Sequence, residues 1–280
     1  YQGIPQVYSP ENFQSNEQHS RDLGATPLPS SMAIEREAWK HLGSGAAIAA
    51  VVLFFPFLSF VFRYINTLVH EIGHAFFGWI FGYPSVPAFD FMYGGGITMA
   101  SVRHPMILLV IYCGFAFLLY FYRKNAMTLV TLVVFIALYT VVAFTDLHEI
   151  INIFMGHGME LVFASIFLYR ALSGRSIVID VERSLYAFLS FFIYFLDIRF
   201  AYRLISSAQF RIEYGAAKGG GHWMDFSRLA LDYFHIPLKS VAAIFLFFCL
   251  LAPVLTYLFF RYRDYIFAFI SRLIDPTPGK

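Results

Sequence analysis

An apolar stretch from Ala46 to Gly82 marks this chain as a membrane protein, and it contains polar side chains. One transmembrane helix needs about 20 apolar residues, so the stretch is too long for a single simple span. Pro56 and Arg63 interrupt it, and we predict two segments that meet near residues 60–64, with one long kinked helix as the alternative. A charged side chain near the bilayer centre costs roughly 2.5–3.5 kcal/mol on insertion scales, so such residues usually mark a functional site.

Composition independently supports a membrane protein. The chain is 59% hydrophobic and 14% charged, whereas a soluble domain carries about 25% charged residues. Hydropathy predicts further spans at about 105–122, 126–144, 157–173, 184–206 and 238–260. The expected fold is therefore all-α and polytopic, with six or seven transmembrane helices around one intramembrane site. The connection 207–237 is interpreted as a polar surface loop.

Three regions follow from the hydropathy. Residues 1–44 are polar and form a predicted extramembrane arm, residues 45–263 the transmembrane domain, and residues 264–280 a C-terminal tail. Alternation of the spans places more Lys and Arg on the side of the C-terminus, which favours a cytoplasmic C-terminus. A formal charge of +2 without a basic cluster excludes nucleic acid as a partner. The expected partners are the lipid bilayer and a membrane-protein substrate or partner subunits.

Residues 70–74 read His-Glu-Ile-Gly-His and lie within the first apolar stretch. On a helix, His70 and His74 are one turn apart on the same face, so both rings can reach one metal ion. Glu71 can then hold and deprotonate the attacking water. The pattern predicts a zinc site and hydrolysis inside the membrane. The alternative is a polar network between helices without a metal.

The segment 83–104 differs from the spans around it because it contains three consecutive glycines. Glycine allows tight turns and close backbone approach. Non-helical backbone at membrane depth is tolerated only where protein or a water-filled cavity covers it. We predict a short glycine-rich re-entrant or β-like loop that pairs with an extended substrate by strand addition, with an ordinary connecting loop as the alternative. The predicted substrate contacts are Gly94, Gly95, Gly96, Ile97 and Thr98.

Together these motifs resemble the site-2 protease family, and in particular its compact bacterial members. The resemblance covers about residues 60–165 and is carried by His70-Glu71-Ile72-Gly73-His74-Ala75, then Gly82, then Gly94-Gly95-Gly96-Ile97-Thr98. It implies an intramembrane zinc metalloprotease with His70 and His74 as ligands and Glu71 as the catalytic base. In that family the third ligand is an aspartate in an Asp-Gly motif on a later membrane helix.

The chain departs from the family pattern at this third ligand. The best counterpart is the segment 152–161, where His157-Gly158 stands in place of Asp-Gly and Glu160 follows three residues later. His157 and Glu160 share a helix face, and both imidazole and carboxylate bind zinc. We predict Glu160 as the third ligand and His157 as the alternative, with the other residue orienting the site.

The expected activity is that of a membrane-embedded zinc metalloendopeptidase that cleaves a peptide bond in or near a transmembrane segment of a partner protein. The alternative is a catalytically silent relative that scaffolds a larger membrane complex, which the altered third-ligand motif favours. A membrane di-iron oxygenase is disfavoured because such enzymes need clustered histidines of the form His-x-x-His-His. The nine histidines of this chain are scattered and include no such cluster.

Overall fold

The computed structural model describes residues 36–90, 95–175, 177–216 and 224–274. Predictions for residues 1–35 and for Gly94 lie outside the described residues. The helices are α1 (Arg36–Phe54), α2 (Pro56–Ile80), α3 (Pro105–Phe121), α4 (Ala126–Ala143), α5 (Leu147–Ser173), α6 (Asp180–Ser206), α7 (Ala208–Ala216), α8 (Asp225–Arg228) and α9 (Leu238–Ile274). Strands β1 (Ser85–Asp90) and β2 (Gly95–Ala100) lie between α2 and α3, and a π-helical turn, Leu229–Tyr233, follows α8.

Four helices of the described chain are long and apolar enough to cross a membrane, namely α4, α5, α6 and α9. A fifth span results if the bent pair of α1 and α2 counts as one crossing. Helix α3 is apolar but has only 17 residues. The chain is therefore a predominantly helical polytopic membrane protein. By length and composition it has four or five spans, fewer than the six or seven expected from the sequence.

The break in the first apolar stretch lies at Phe55, so the predicted junction near residues 60–64 is wrong. Helices α1 and α2 are bent by 113° at this point. Pro56 occupies the first turn of α2, where the missing N–H of proline leaves no helical hydrogen bond unmade. Arg63 instead lies inside α2, because an arginine, unlike a proline, does not remove a backbone donor.

Other element boundaries also differ from those predicted by hydropathy. Helix α1 begins at Arg36, so the predicted arm boundary at residue 44 falls inside a helix. Helix α5 begins at Leu147 rather than at residue 157, and α9 continues to Ile274, past the predicted start of the tail at residue 264. Charged residues at helix ends cause these differences, because hydropathy detects the apolar middle of a helix and not its polar turns.

Two glycines bring helix backbones into direct contact. A Cβ atom on Gly73 would lie 2.8 Å from the Cβ of Met159, so α2 touches α5 at this point. A Cβ atom on Gly45 would lie 2.6 Å from the backbone N of Phe188, so α1 touches α6. The contact at Gly73 positions the His-Glu-Ile-Gly-His motif directly against the segment that begins at Asn152.

The two strands form an antiparallel hairpin in which Ser85 pairs with Ala100 and Asp90 pairs with Gly95. Both strands pack on α2. Trp79 Nε1 donates a hydrogen bond of 2.8 Å to the backbone O of Ser85. The hairpin thereby covers the part of α2 that carries the histidines.

Candidate metal centre

His70, His74 and Asp225 converge on one point of the structure. The two Nε2 atoms are 3.1 Å apart, and Asp225 Oδ2 lies 2.9 Å from that of His70 and 3.2 Å from that of His74. Tetrahedral zinc, with bonds of about 2.0–2.2 Å, holds its ligand atoms about 3.3–3.5 Å apart. The triangle formed by these three atoms is therefore close to the spacing of a zinc site.

The partners of the two Nδ1 atoms determine which ring nitrogens face this point. His74 Nδ1 lies 2.8 Å from the backbone O of Asn152, and a carbonyl only accepts, so Nδ1 carries the hydrogen. His70 Nδ1 lies 3.2 Å from Glu160 Oε1, a carboxylate acceptor. In neutral rings both Nε2 atoms then present lone pairs to each other and to the Asp225 carboxylate. Three such electron-pair donors repel one another, and a bound cation removes the repulsion, so these residues fit a divalent metal ion.

Glu71 lies beside these three residues, under the hairpin, and is only 6% exposed. The Thr98 hydroxyl is 2.6 Å from Glu71 Oε2 and 3.0 Å from the backbone O of the same residue, and it can donate to either. A Cβ atom on residue 96 would overlap the Glu71 carboxylate. Glycine at position 96 therefore gives this carboxylate the room it occupies beneath β2.

The two residues predicted as third ligand, Glu160 and His157, form a second cluster next to His70. Glu160 is 2% exposed; it accepts hydrogen bonds of 2.7 Å from His157 Nδ1 and 2.8 Å from Asn66 Nδ2. The side chains of His70, His157 and Glu160 are also close enough together to hold a metal ion. Glu160, however, approaches His70 at Nδ1, on the other side of the ring from Asp225. This is the usual place of a carboxylate that orients a histidine ligand.

Helix α8 positions Asp225 by burying the residue that follows it. Phe226 is fully buried, and its ring centroid lies 4.5 Å from that of His157 and 5.1 Å from that of Phe245. Its backbone N–H donates a 3.2 Å hydrogen bond to the hydroxyl of Tyr214. These contacts fix the short helix between α5, α7 and α9, so the position of Asp225 does not depend on its own contacts.

Electrostatics keep the Asp225 carboxylate charged. Burial alone would favour its neutral form, but when His74 and His70 carry a proton on Nε2, their positive charge and hydrogen bonds hold the pKa of this carboxyl well below its ordinary value, and a bound cation would act in the same direction. At the other end of the segment, burial and the nearby Glu149 carboxylate, which accepts a hydrogen bond from the Tyr233 hydroxyl, raise the pKa of Tyr233 to about 12. The tyrosine therefore remains a hydrogen-bond donor at neutral pH.

Asp225 was not predicted from the sequence, because it lies in the connection interpreted as a polar loop. It is followed by Phe226 rather than by the glycine that the family pattern requires. The sequence signal that could have pointed to Asp225 was the length of the connection 207–237. Connections of more than about 12–15 residues without secondary structure are uncommon and usually functional, and this one contains α7 and α8.

A cavity of about 1000 Å³ contains the candidate metal centre. Its wall includes His70, Glu71, His74 and Asp225, and also His157 and Glu160. Of the residues predicted to contact substrate, Gly95, Gly96, Ile97 and Thr98 line this cavity, whereas Gly94 lies outside the described residues. The hairpin and the metal centre thus face the same space.

Comparison of the chain with models of protein families, with curated proteins and with solved structures gave no match.

Proposed function

We propose that this protein is an intramembrane zinc metallopeptidase that hydrolyses a peptide bond in or near a transmembrane segment of a partner protein. The observation that supports this most directly is the convergence of three ligand atoms, from His70, His74 and Asp225, beside the buried carboxylate of Glu71. The resemblance to the site-2 protease family agrees with this proposal. Asp225 would then take the role of the aspartate ligand in that family.

His70, His74 and Asp225 would hold the zinc ion, with two nitrogen ligands and one oxygen ligand. Three protein ligands are typical of catalytic zinc, which keeps a fourth position open, whereas structural zinc has four. When bound, zinc supplies a Lewis acid that polarises the peptide carbonyl and makes water more acidic. Glu160 and the backbone O of Asn152 would orient the two rings through Nδ1.

Glu71 would act as the general base. Its carboxylate accepts the proton of the attacking water and later returns that proton to the nitrogen of the leaving amine, so no other proton donor is needed. The hydrogen bond from Thr98 holds Oε2, which leaves Oε1 for the transferred proton. The low dielectric of a site buried in the membrane strengthens these interactions.

The substrate must be extended to react, because the backbone groups of a helix are paired with one another. Strand β2 belongs to a two-stranded sheet in the described part of the chain, so its outer edge has no strand partner there. Residues 95–98 of this strand line the cavity next to Glu71. An unwound substrate segment could pair with that edge and present its peptide bond to the metal centre.

The proposal includes the membrane topology. Helix α3 has 17 residues and extends about 25 Å, which is near the lower limit for a crossing. If α3 is counted with α4, α5, α6 and α9, the chain has six crossings when α1 and α2 form one and seven when they form two. The distribution of Lys and Arg favours a cytoplasmic C-terminus.

The experiment that tests this function combines metal content with cleavage. The full chain is purified in detergent without chelator, beside His70→Ala, Glu71→Gln and the matched control Glu213→Gln, whose carboxylate is exposed outside the cavity. A fluorogenic apolar peptide reports hydrolysis. We expect about one zinc per chain in all variants except His70→Ala. Hydrolysis should fall at least about 100-fold in Glu71→Gln, the usual contribution of a general base.

Two outcomes would contradict the proposal. Undiminished hydrolysis by Glu71→Gln would exclude Glu71 as the base. An unmutated chain that contains no zinc and cleaves nothing would favour the alternative, a catalytically silent membrane subunit.

A further inference from the structure

Four arginines line the cavity of the candidate metal centre. Three of them are called here the arginine flank, namely Arg199, Arg203 and Arg228, and the fourth, Arg63, lies inside α2. Arg199 and Arg203 are one turn apart on α6, so they share a face of this helix. Both lie in its last two turns, near the membrane edge where α6 ends at Ser206. Arg228 follows Asp225 by three residues in α8. Positive charge from two separate elements therefore borders the proposed active site.

The arginine flank has no carboxylate partner within the described residues. The acidic groups at the metal centre are already engaged, Asp225 and Glu160 with histidines and Glu71 with Thr98. The Arg203 guanidinium lies 3.9 Å from the ring centroid of Phe210, a contact that holds it in place without using its hydrogen-bond donors. Asp197, which is buried, and Asp232 also line the cavity, but neither forms an ion pair with any of the three arginines in this part of the chain.

Arginine is always protonated in proteins, and its planar donors match a carboxylate in a bidentate manner. Charged residues in membrane segments usually face a water-filled cavity and mark the path of a substrate or ion. We propose that the arginine flank binds an acidic side chain of the peptide substrate close to the bond that is cleaved. This inference rests on the proposed function and adds to it the substrate class, a peptide with a carboxylate beside its cleavage site.

The size of the cavity limits where that acidic residue lies. A volume of about 1000 Å³ corresponds to a space roughly 10 Å across, which an extended peptide covers in about three residues. The carboxylate is therefore expected within about three residues of the scissile bond. Arg228 lies one helical turn from Asp225, so an anion bound there is next to the candidate metal centre, where the scissile bond of the substrate would lie.

Peptide binding to an inactive variant tests this inference. The probe is a pair of fluorescent 12-residue peptides of alternating Leu and Ala. One carries Glu three residues before and three residues after its centre, and the other carries Gln at both places. The full-length Glu71→Gln variant, loaded with zinc in phosphatidylcholine nanodiscs, is titrated with each peptide. We expect the acidic peptide to bind about tenfold more tightly, the effect of one charge-assisted hydrogen bond. Added salt should reduce the difference.

Variants of the flank identify the source of the preference. Changing Arg199, Arg203 and Arg228 together to Gln should abolish it, whereas the corresponding Lys substitutions should retain part of it, because the charge remains but the bidentate geometry is lost. Arg123→Gln is the matched control, since Arg123 lies outside the cavity with its guanidinium over the ring of Tyr120. Equal zinc content in all variants excludes unfolding as the cause.

Equal affinity for the two peptides, or no measurable binding of either, would overturn the inference. A preference that survives the triple Gln substitution would also overturn it. The same holds for a preference that disappears when phosphatidylglycerol is added at constant ionic strength, because this result would assign the arginines to lipid headgroups. Cleavage by the unmutated chain is measured separately with the same peptides. Charge-selective binding without any cleavage would overturn the proposed activity alone, whereas cleavage with equal binding would overturn only the role of the arginine flank.

Discussion

Each histidine at the candidate metal centre uses its two ring nitrogens for different purposes. The Nδ1 atoms are anchored to α5, one to a backbone carbonyl and one to the Glu160 carboxylate, and this leaves both Nε2 atoms facing Asp225. A carboxylate on Nδ1 raises the basicity of the ring and strengthens its bond to a metal. The spacing of His157 and Glu160 in the sequence showed that they share a helix face. It could not show on which side of the His70 ring they lie.

Substitution of Asp225 and Glu160 distinguishes a metal ligand from a residue that orients a ligand. Asp225→Asn removes a charged ligand, so we expect zinc to be lost at stoichiometric concentration. Glu160→Gln should weaken zinc binding by about 10–100-fold while a full site is still reached at saturation, the usual effect of removing an orienting group. Competition with a chromogenic chelator measures both affinities, and Asp232→Asn is the control within the same cavity. If Glu160→Gln abolished zinc binding and Asp225→Asn only weakened it, Glu160 rather than Asp225 would be the third ligand.

Gly156 permits the close approach of the two histidine rings to α5. A Cβ atom at this position would overlap His74 Nε2 and lie 2.7 Å from His70 Nε2. We therefore expect Gly156→Ala to abolish zinc binding, although alanine favours a helix by about 1 kcal/mol over glycine. Gly114→Ala is the control, because no atom lies within 4 Å of its added Cβ. Zinc content and thermal unfolding in detergent measure the two effects, and unchanged zinc affinity in Gly156→Ala would contradict the arrangement of the rings.

At the scale of elements, sequence patterns predicted what is local and missed what depends on distant contacts. Helices α3 and α4 end within one residue of their predicted limits, since apolar runs between charged ends define them. The segment 83–104, for which a glycine-rich re-entrant or β-like loop was expected, contains the strands β1 and β2. By contrast, the position of α8 depends on Phe226 packing among residues of α5, α6 and α9. No sequence pattern near Asp225 shows those contacts.

The packing of α8 makes a prediction that does not involve a ligand residue. Phe226→Ala leaves a cavity under the helix, at a cost of roughly 3–5 kcal/mol for a buried phenylalanine. Because this helix holds Asp225, we expect zinc affinity to fall together with thermal stability. Phe247→Ala provides the comparison, since that ring is 60% exposed on the apolar surface of α9. If zinc affinity were unchanged in Phe226→Ala, Asp225 would have to be held by other contacts.

On the scale of the whole molecule, the contacts of α1 and α2 favour the proposed topology in which these two helices form one broken crossing. His41 hydrogen-bonds to Ser184 near the start of α6, and Gly45 contacts Phe188 further along the same helix. Farther along α2, Asn66 reaches Glu160 and His74 reaches Asn152, close to the start of α5. Helices α5 and α6 are joined at the end opposite the start of α5. Between residues 41 and 74 the chain therefore passes only once from one end of the pair α5 and α6 to the other end.

With one crossing for α1 and α2, and with α3 counted as a crossing, the proposed topology has six crossings and places both ends of the described chain on the same side of the membrane. Glu37 and Arg175 should then face the cytoplasm together, and Ser101 and Glu213 the opposite side. Replacing each by Cys, after changing the two native cysteines to Ala, allows labelling of intact cells with a membrane-impermeant maleimide. We expect only the second pair to react before the membrane is permeabilised. Reaction of Glu37→Cys together with Ser101→Cys would mean that α1 and α2 cross separately. The arginine flank adjoins the connection that contains Glu213, so this labelling also shows from which side an acidic substrate segment would have to enter.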